Sequence, residues 1–267
     1  MFQTYYHMNG PPFRRDTSTE AIYRHGHFEE AVSRLRYAAE GHGFAVITGP
    51  CGTGKTTLLR CVCTQLAQDR YKVIYLSDSA LSPTAFYRRS LQSLGVAPKR
   101  SACDAKGQLE STLKNLPGYT GMQPVFVLDE AHMFTTDMLQ EVRFILNSDY
   151  DSQSSAGLIL CGQDELLEKL RFTQLTAIRQ RVDVLCTLKP LNREETQTYI
   201  EHHLSIVGVS RPLFSDHAID VIYDASGGIP RVIDKICTNV LILGCQENRQ
   251  ILDDNQVALV VENELLH

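Results

Sequence analysis

Apolar positions along the chain change period repeatedly, dividing it into short apolar runs and amphipathic stretches. Residues 28–40 place Val32, Leu35 and Ala39 on one face of a helix. The run 44–47, Phe-Ala-Val-Ile, predicts a short buried strand, followed by a Gly-rich turn and a helix from 55 to about 68. A strand over 72–76 precedes two helices, 83–94 and 106–116, joined by the polar, basic stretch 96–101. Residues 125–128 are uniformly apolar, as in a strand covered on both faces. Met138, Leu139, Val142, Ile145 and Leu146 recur at helical spacing. Residues 157–161 and 182–188 supply two further strands. Five strands with helical crossovers predict an α/β fold: a five-stranded, mainly parallel sheet flanked by helices.

After Pro190 the strand pattern stops. Asn192 and Glu195 have the spacing of a capping box for a helix to about 206. Further helices are expected over 215–225, 230–243 and 254–265. Gly227-Gly228 would end one of them, and Pro230 suits the first turn of the next. The expected organisation is an N-terminal segment and helix (1–40), a sheet-containing core (41–190) and a C-terminal helical lid (191–267).

Composition narrows the class. With 267 residues, 43% hydrophobic and 21% charged, the chain can bury a sizeable core. No apolar run approaches the ~18 residues of a membrane helix, and the opening residues lack a secretory signal pattern, so a cytoplasmic protein without a membrane partner is expected. The eight cysteines are scattered without a CxxC pair, which fits reduced thiols better than a disulfide framework or a metal site. A net charge of −5 gives no bulk signal for nucleic acid, so any such surface must be local or assembled from several subunits.

The strongest chemical signal is Gly49-Pro50-Cys51-Gly52-Thr53-Gly54-Lys55-Thr56, followed by Thr57. It matches GxxxxGK[ST] between an expected strand and an expected helix. Such a loop turns successive N–H groups toward phosphates, and the following helix adds its positive end. Lys55 would bridge the β- and γ-phosphates of ATP, with the Thr56 hydroxyl on Mg²⁺. The second signal is Val125-Phe126-Val127-Leu128-Asp129-Glu130, an apolar strand ending in two carboxylates. Asp129 fits a magnesium-orienting acid and Glu130 a base that polarises water. This pair favours ATP hydrolysis over transfer to a small acceptor.

Three more positions fit nucleotide sensing. Gln163 follows the strand 157–161, where a neutral amide can hydrogen-bond the attacking water or the γ-phosphate. Arg179 and Arg181 precede the last strand, where an arginine can reach a neighbouring subunit's phosphate. Arg231 falls in the first turn of a helix, where a cation opposes the helix dipole and so calls for a nearby anion. Asp129-Glu130-Ala131-His132 spells a helicase-like DEAH box. The roughly 75 residues after the sheet, however, are too few for the second domain such helicases need.

In this order the motifs resemble AAA+ ATPases. Within them, Tyr5-Tyr6, Pro12-Phe13, Ile22-Tyr23, 27–31, the DEAH tetrapeptide, 160–163, 179–181 and 228–231 resemble the ExeA-like group. That group includes transposon-encoded ATPases of the TnsC, TniB and MuB kind. The resemblance implies a P-loop AAA+ fold, an adenine pocket built partly by residues 13–23, and hydrolysis at subunit interfaces. ExeA proper continues beyond its ATPase, so the length of this chain points to the transposition regulators. These imply a homo-oligomeric ring or filament on double-stranded DNA, with a transposase and a target-selection protein as partners. By the same resemblance, DNA contacts are expected in 77–106, which carries Arg88, Arg89, Lys99 and Arg100. The alternatives are a cytosolic ATPase of secretion or assembly and a protein-directed loader or signalling ATPase.

Overall fold

Five short strands alternate with helices through the first two thirds of the chain, and helices alone follow. The computed structural model describes residues 2–14, 17–146, 154 and 156–264. In chain order the elements begin α1 (Phe2–Tyr5), α2 (Gly26–Glu40), β1 (Phe44–Thr48), α3 (Lys55–Gln65), β2 (Tyr71–Leu76), α4 (Pro83–Ser93), α5 (Ala102–Thr120) and β3 (Gln123–Leu128). They continue α6 (Thr136–Val142), β4 (Gly157–Cys161), α7 (Glu165–Leu170), α8 (Thr176–Arg179), β5 (Val184–Thr187), α9 (Arg193–Ile206), α10 (Asp216–Ser226), α11 (Pro230–Gln246) and α12 (Asp254–Glu264).

The sheet order is β2-β3-β4-β1-β5, and every pairing is parallel. All strands therefore end at one edge, where loops from several of them converge. β1, β3 and β4 are apolar almost throughout because helices cover both faces. Edge strand β5 alternates buried and exposed residues instead.

Two compact units emerge. The sheet unit comprises Gly26–Pro50 and Lys55–Leu188; the helical unit comprises the residues up to His25, Cys51–Gly54 and those from Lys189 on. The expected N-terminal segment is thus shared out: α2 joins the sheet, and the residues before it join the C-terminal helices. The sheet unit buries Phe86, Phe126 and Phe134 among its aliphatic residues, while the helical unit centres on Tyr6, Leu213, Ile233 and Leu241.

Several boundaries differ from expectation for local reasons. Helix α5 starts four residues before the expected 106, because the Ser101 side chain accepts from the Asp104 N–H and caps it. The helix expected through 146 is α only to Val142, then tightens into a 3-10 turn over Arg143–Leu146 that still buries Ile145 and Leu146. Helix α3 ends at Gln65, short of 68. The capping box at Asn192 and Glu195 forms with both of its hydrogen bonds, and Pro230 opens α11. The last residue expected in the final helix, 265, lies outside the described residues. All eight cysteines are free thiols; Cys61, Cys161, Cys186 and Cys237 are buried, whereas Cys51 and Cys103 are exposed. Among the described residues no helix is long and apolar enough to cross a membrane.

Candidate functional site

The loop after β1 is shaped by its glycines. Gly49 has φ +147°, and a Cβ there would run into the Leu188 carbonyl, so no larger residue fits. At the start of α3, Lys55 Nζ donates to the carbonyls of Gly49 and Pro50, both at 2.8 Å, drawing the ammonium over the loop's first residues. The next residue, Thr56, donates its hydroxyl to Asp129 Oδ2 at 3.0 Å.

Asp129 closes β3 and is 4% exposed. Its carboxylate collects donors from the start of α3 and the ends of β2 and β3: Thr56, the Tyr75 hydroxyl (2.7 Å, to Oδ2) and the Glu130 N–H (2.9 Å, to Oδ1). The buried Cys161 thiol, at the end of β4, lies close enough to feel the same carboxylate. Burial, and then the adjacent Asp129 charge, push the Cys161 thiol far above its usual range and keep it protonated. Burial and the hydrogen bond to Asp129 do the same to the Tyr75 phenol.

Thr56 and Asp129 thus offer two hard oxygen donors within hydrogen-bond distance of each other, the donor type Mg²⁺ prefers. Among the described residues no cluster of three or more His, Cys, Asp or Glu side chains could hold a metal alone. Two such donors suit a cation that keeps several water ligands.

Glu130 adopts the left-handed conformation, φ 57° and ψ 28°, which costs a non-glycine residue energy and is concentrated at functional sites. Its half-exposed carboxylate lies 3.5 Å from His132 Nδ1. His132 Nε2 is 3.1 Å from the Gln163 amide nitrogen. Strand β4 does lie beside β3, which brings Gln163 to this edge.

Arg179, on α8, is exposed and donates to the Arg171 carbonyl at 3.1 Å. Arg181 is half-buried and donates to the Leu146 carbonyl at 2.9 Å. In the helical unit, the Arg231 N–H donates to the Gly52 carbonyl at 3.3 Å, and its guanidinium lies 3.5 Å from Cys51 Sγ. Arg231 therefore packs on the tip of the phosphate-loop motif, Cys51–Gly54, within one unit. Thr53 of that tip is buried. Thr57 follows in the first turn of α3.

Arg88, Arg89, Lys99 and Arg100 are all exposed, on α4 and its connection to α5. Arg88 donates to the Arg100 carbonyl, bringing those two together. Arg89 instead pairs with Asp78 at 2.8 Å, which offsets its charge. The Lys99 N–H is held by Gln108.

In the helical unit, the segment expected near an adenine packs through its aromatic residues. Phe13 lies 5.6 Å from the His203 ring and Tyr23 lies 5.7 Å from Tyr199. His203 is held to the Pro12 carbonyl at 3.0 Å, and burial pushes it down to about 4.

Beside Asp129, Thr56 and Lys55, expected from their motifs to serve a nucleotide, stand Tyr75, Cys161 and His132, to which the motifs alone assign no role. Tyr75 and Cys161 reach Asp129 only through the strand order β2-β3-β4. The DEAH tetrapeptide was the available signal for His132.

A family profile described as an AAA domain matches residues 38–170. General secretion pathway protein A of Aeromonas hydrophila is 28% identical over 249 residues, covering 91% of this chain and 44% of that protein. The chain thus spans under half the length of this curated relative. Among solved structures, Cdc6p from Pyrobaculum aerophilum superposes with a TM-score of 0.71 at 20% identity, over 90% of this chain and 67% of its own. Drosophila ORC bound to DNA gives 0.69 at 17% identity, over 97% and 65%. The shared fold is the P-loop AAA+ fold, a five-stranded parallel sheet with flanking helices and a helical C-terminal region.

Proposed function

We propose that this chain binds and hydrolyses ATP to control its own assembly on double-stranded DNA, a reading supported by the match of residues 38–170 to an AAA domain profile. The observation that carries the hydrolase reading is the meeting of Lys55, Thr56, Asp129 and Glu130 at one sheet edge.

In this reading Gly49 to Thr57 wrap the triphosphate with backbone N–H groups, and Lys55 exchanges its loop carbonyls for phosphate oxygens. Thr56 and Asp129 hold Mg²⁺. When bound, the ion neutralises charge on the β- and γ-phosphates. Glu130 takes the proton of the attacking water, and Gln163 orients that water or the γ-phosphate. Arg231, on the tip of the loop, balances phosphate charge from the same chain. Exposed Arg179 is the better finger for a neighbouring subunit, since Arg181 is half-buried against Leu146.

The assembly output rests on the ExeA-like and transposition-ATPase resemblance, and on the Arg88–Arg100 pair with Lys99. Repeated around a ring or filament, this modest patch makes many phosphate contacts despite the acidic total. Such contacts are sequence-independent. The partners in this reading are a transposase and a target-selection protein, in the cytoplasm. The match to a secretion protein across 91% of the chain favours a second reading, an ATPase that acts on a protein partner of a secretion system.

Negative-stain microscopy with duplex DNA and a non-hydrolysable ATP analogue at low salt separates them. The DNA reading predicts nucleotide-dependent rings or filaments on DNA. Joint Arg88→Ala and Arg100→Ala substitution should weaken them about tenfold or more and flatten the salt dependence. Free particles with no DNA bound would leave the protein-directed reading.

A further inference from the structure

His132 is the one member of the DEAH tetrapeptide with its side chain between two groups of the proposed catalytic machinery. It is buried, on the 3-10 turn Ala131–Met133 that follows β3. Its Nε2 faces the Gln163 amide nitrogen at 3.1 Å, and Glu130 Oε2 is 3.5 Å from its Nδ1. That Nδ1 is shielded from solvent and makes no hydrogen bond. An amide nitrogen can only donate, so Nε2 accepts and the neutral ring carries its proton on Nδ1, on the side of Glu130. What Gln163 does therefore decides what His132 presents to Glu130.

The turn is fastened to the segment that carries Gln163. A Cβ on Gly162 would lie 2.9 Å from the His132 backbone nitrogen, so only glycine lets the chain leaving β4 come this close to the turn. From α7, Lys169 Nζ donates to the His132 carbonyl and, at 3.1 Å, to that of Phe134. Residues 162–169 thus grip the turn through its backbone on one side and the imidazole on the other.

We propose that His132 is a positioning residue that links Gln163 to Glu130, so that the γ-phosphate is sensed at one and felt at the other. With Gln163 donating to Nε2, the Nδ1–H attracts the Glu130 carboxylate, 3.5 Å away, and holds it toward the ring. When the Gln163 amide turns to phosphate or to the attacking water, Nε2 loses its donor. The ring then loses the hydrogen bond that fixes its orientation and can turn about its Cβ–Cγ bond, its proton staying on Nδ1. Turning carries the Nδ1–H away from Glu130, and the carboxylate is released to act as base. The link rests on the reading of Glu130 as base and Gln163 as sensor.

The test is a double-mutant cycle on ATP turnover with His132→Phe and Gln163→Ala, alongside binding of a fluorescent ATP analogue and thermal melting. Glu130→Gln runs in parallel to test the underlying reading. His132→Phe should lower kcat about tenfold or more while nucleotide affinity stays within about threefold. Gln163→Ala should cost little more once His132 is gone. His132→Gln keeps an acceptor near Nε2 but no donor near Nδ1, and His132→Asn the reverse; neither should restore turnover, because the link needs both nitrogens.

Independent, multiplying effects of the two substitutions would overturn the link, as would wild-type kcat in His132→Phe. Parallel losses of kcat, affinity and melting temperature would also overturn it, leaving His132 a packing residue. If Glu130→Gln is inactive while the cycle is additive, the base assignment stands and only the link fails. If Glu130→Gln turns over freely, the base assignment itself fails.

Discussion

The two units bury polar groups for different ends. In the sheet unit they gather where parallel strands stop: Asp129 takes hydrogen bonds from Thr56 and Tyr75, and Glu130 is held in a costly backbone conformation. In the helical unit they join distant stretches of chain. Tyr199 donates to Asp234 at 2.7 Å, His203 is held by Pro12, and His202 lies 3.0 Å from the Ala21 carbonyl. The first arrangement leaves groups ready to exchange partners. The second ties the N-terminal segment to α9 and spends its hydrogen bonds on structure. Burial of a polar group therefore says little about function until its partners are known.

If that contrast is right, substitutions in the two units should separate activity from stability. The largest effect is expected at Lys55. Lys55→Ala removes the charge over the phosphate loop and should reduce ATP affinity about a hundredfold or more in a fluorescent-nucleotide titration, with little change in melting temperature.

Next is the helical unit, read by pH-dependent unfolding. Burial pushes Asp234 up to about 6 from an ordinary 3.8, so the folded state holds that proton more tightly than the unfolded chain. Stability is lost as pH rises through that window, with a cost of up to about 3 kcal/mol above it. His203 has the opposite sense: held at about 4 against an ordinary 6.5, it is neutral when folded and loses stability as pH falls through its window. Between about pH 4 and 6 the two trends oppose each other. Asp234→Asn, whose amide oxygen can still accept from Tyr199, should be more stable than the parent at pH 8. The gain should vanish near pH 4, and the acid loss from His203 should stand alone. Equal stability of variant and parent at pH 8 would mean that Asp234 has a partner offsetting its burial.

The smallest effect is expected at Tyr75. Tyr75→Phe removes one of the donors to Asp129 and should change the Mg²⁺ concentration for half-maximal ATP turnover a few-fold, leaving unfolding within about 1 kcal/mol of the parent. A large loss of stability there would make the Tyr75–Asp129 bond structural and blur the contrast.

The same contrast explains what was legible in the sequence. The phosphate loop is local, so Gly49 to Thr56 could be read from spacing alone, as could Asp129 and Glu130 from an apolar strand ending in acid. The five strands and the capped helix at Asn192 followed from period and capping chemistry. Tyr75 and Cys161 were hidden because their link to Asp129 depends on which strands are neighbours, and many orders fit one string of apolar runs. Attachment of the N-terminal residues to the C-terminal helices was hidden similarly: His203 and Pro12 meet across 191 residues with no shared motif. The short helices α7 and α8 carry too few turns to impose a period.

The central claim is that Glu130 is the base of an ATP hydrolase, and steady-state turnover of Glu130→Gln with parallel nucleotide binding tests it most directly. The account predicts kcat at least about a hundredfold lower, with ATP affinity retained and the ATP-bound assembly persisting. Turnover within about threefold of the parent would contradict it and remove Glu130 from the chemistry.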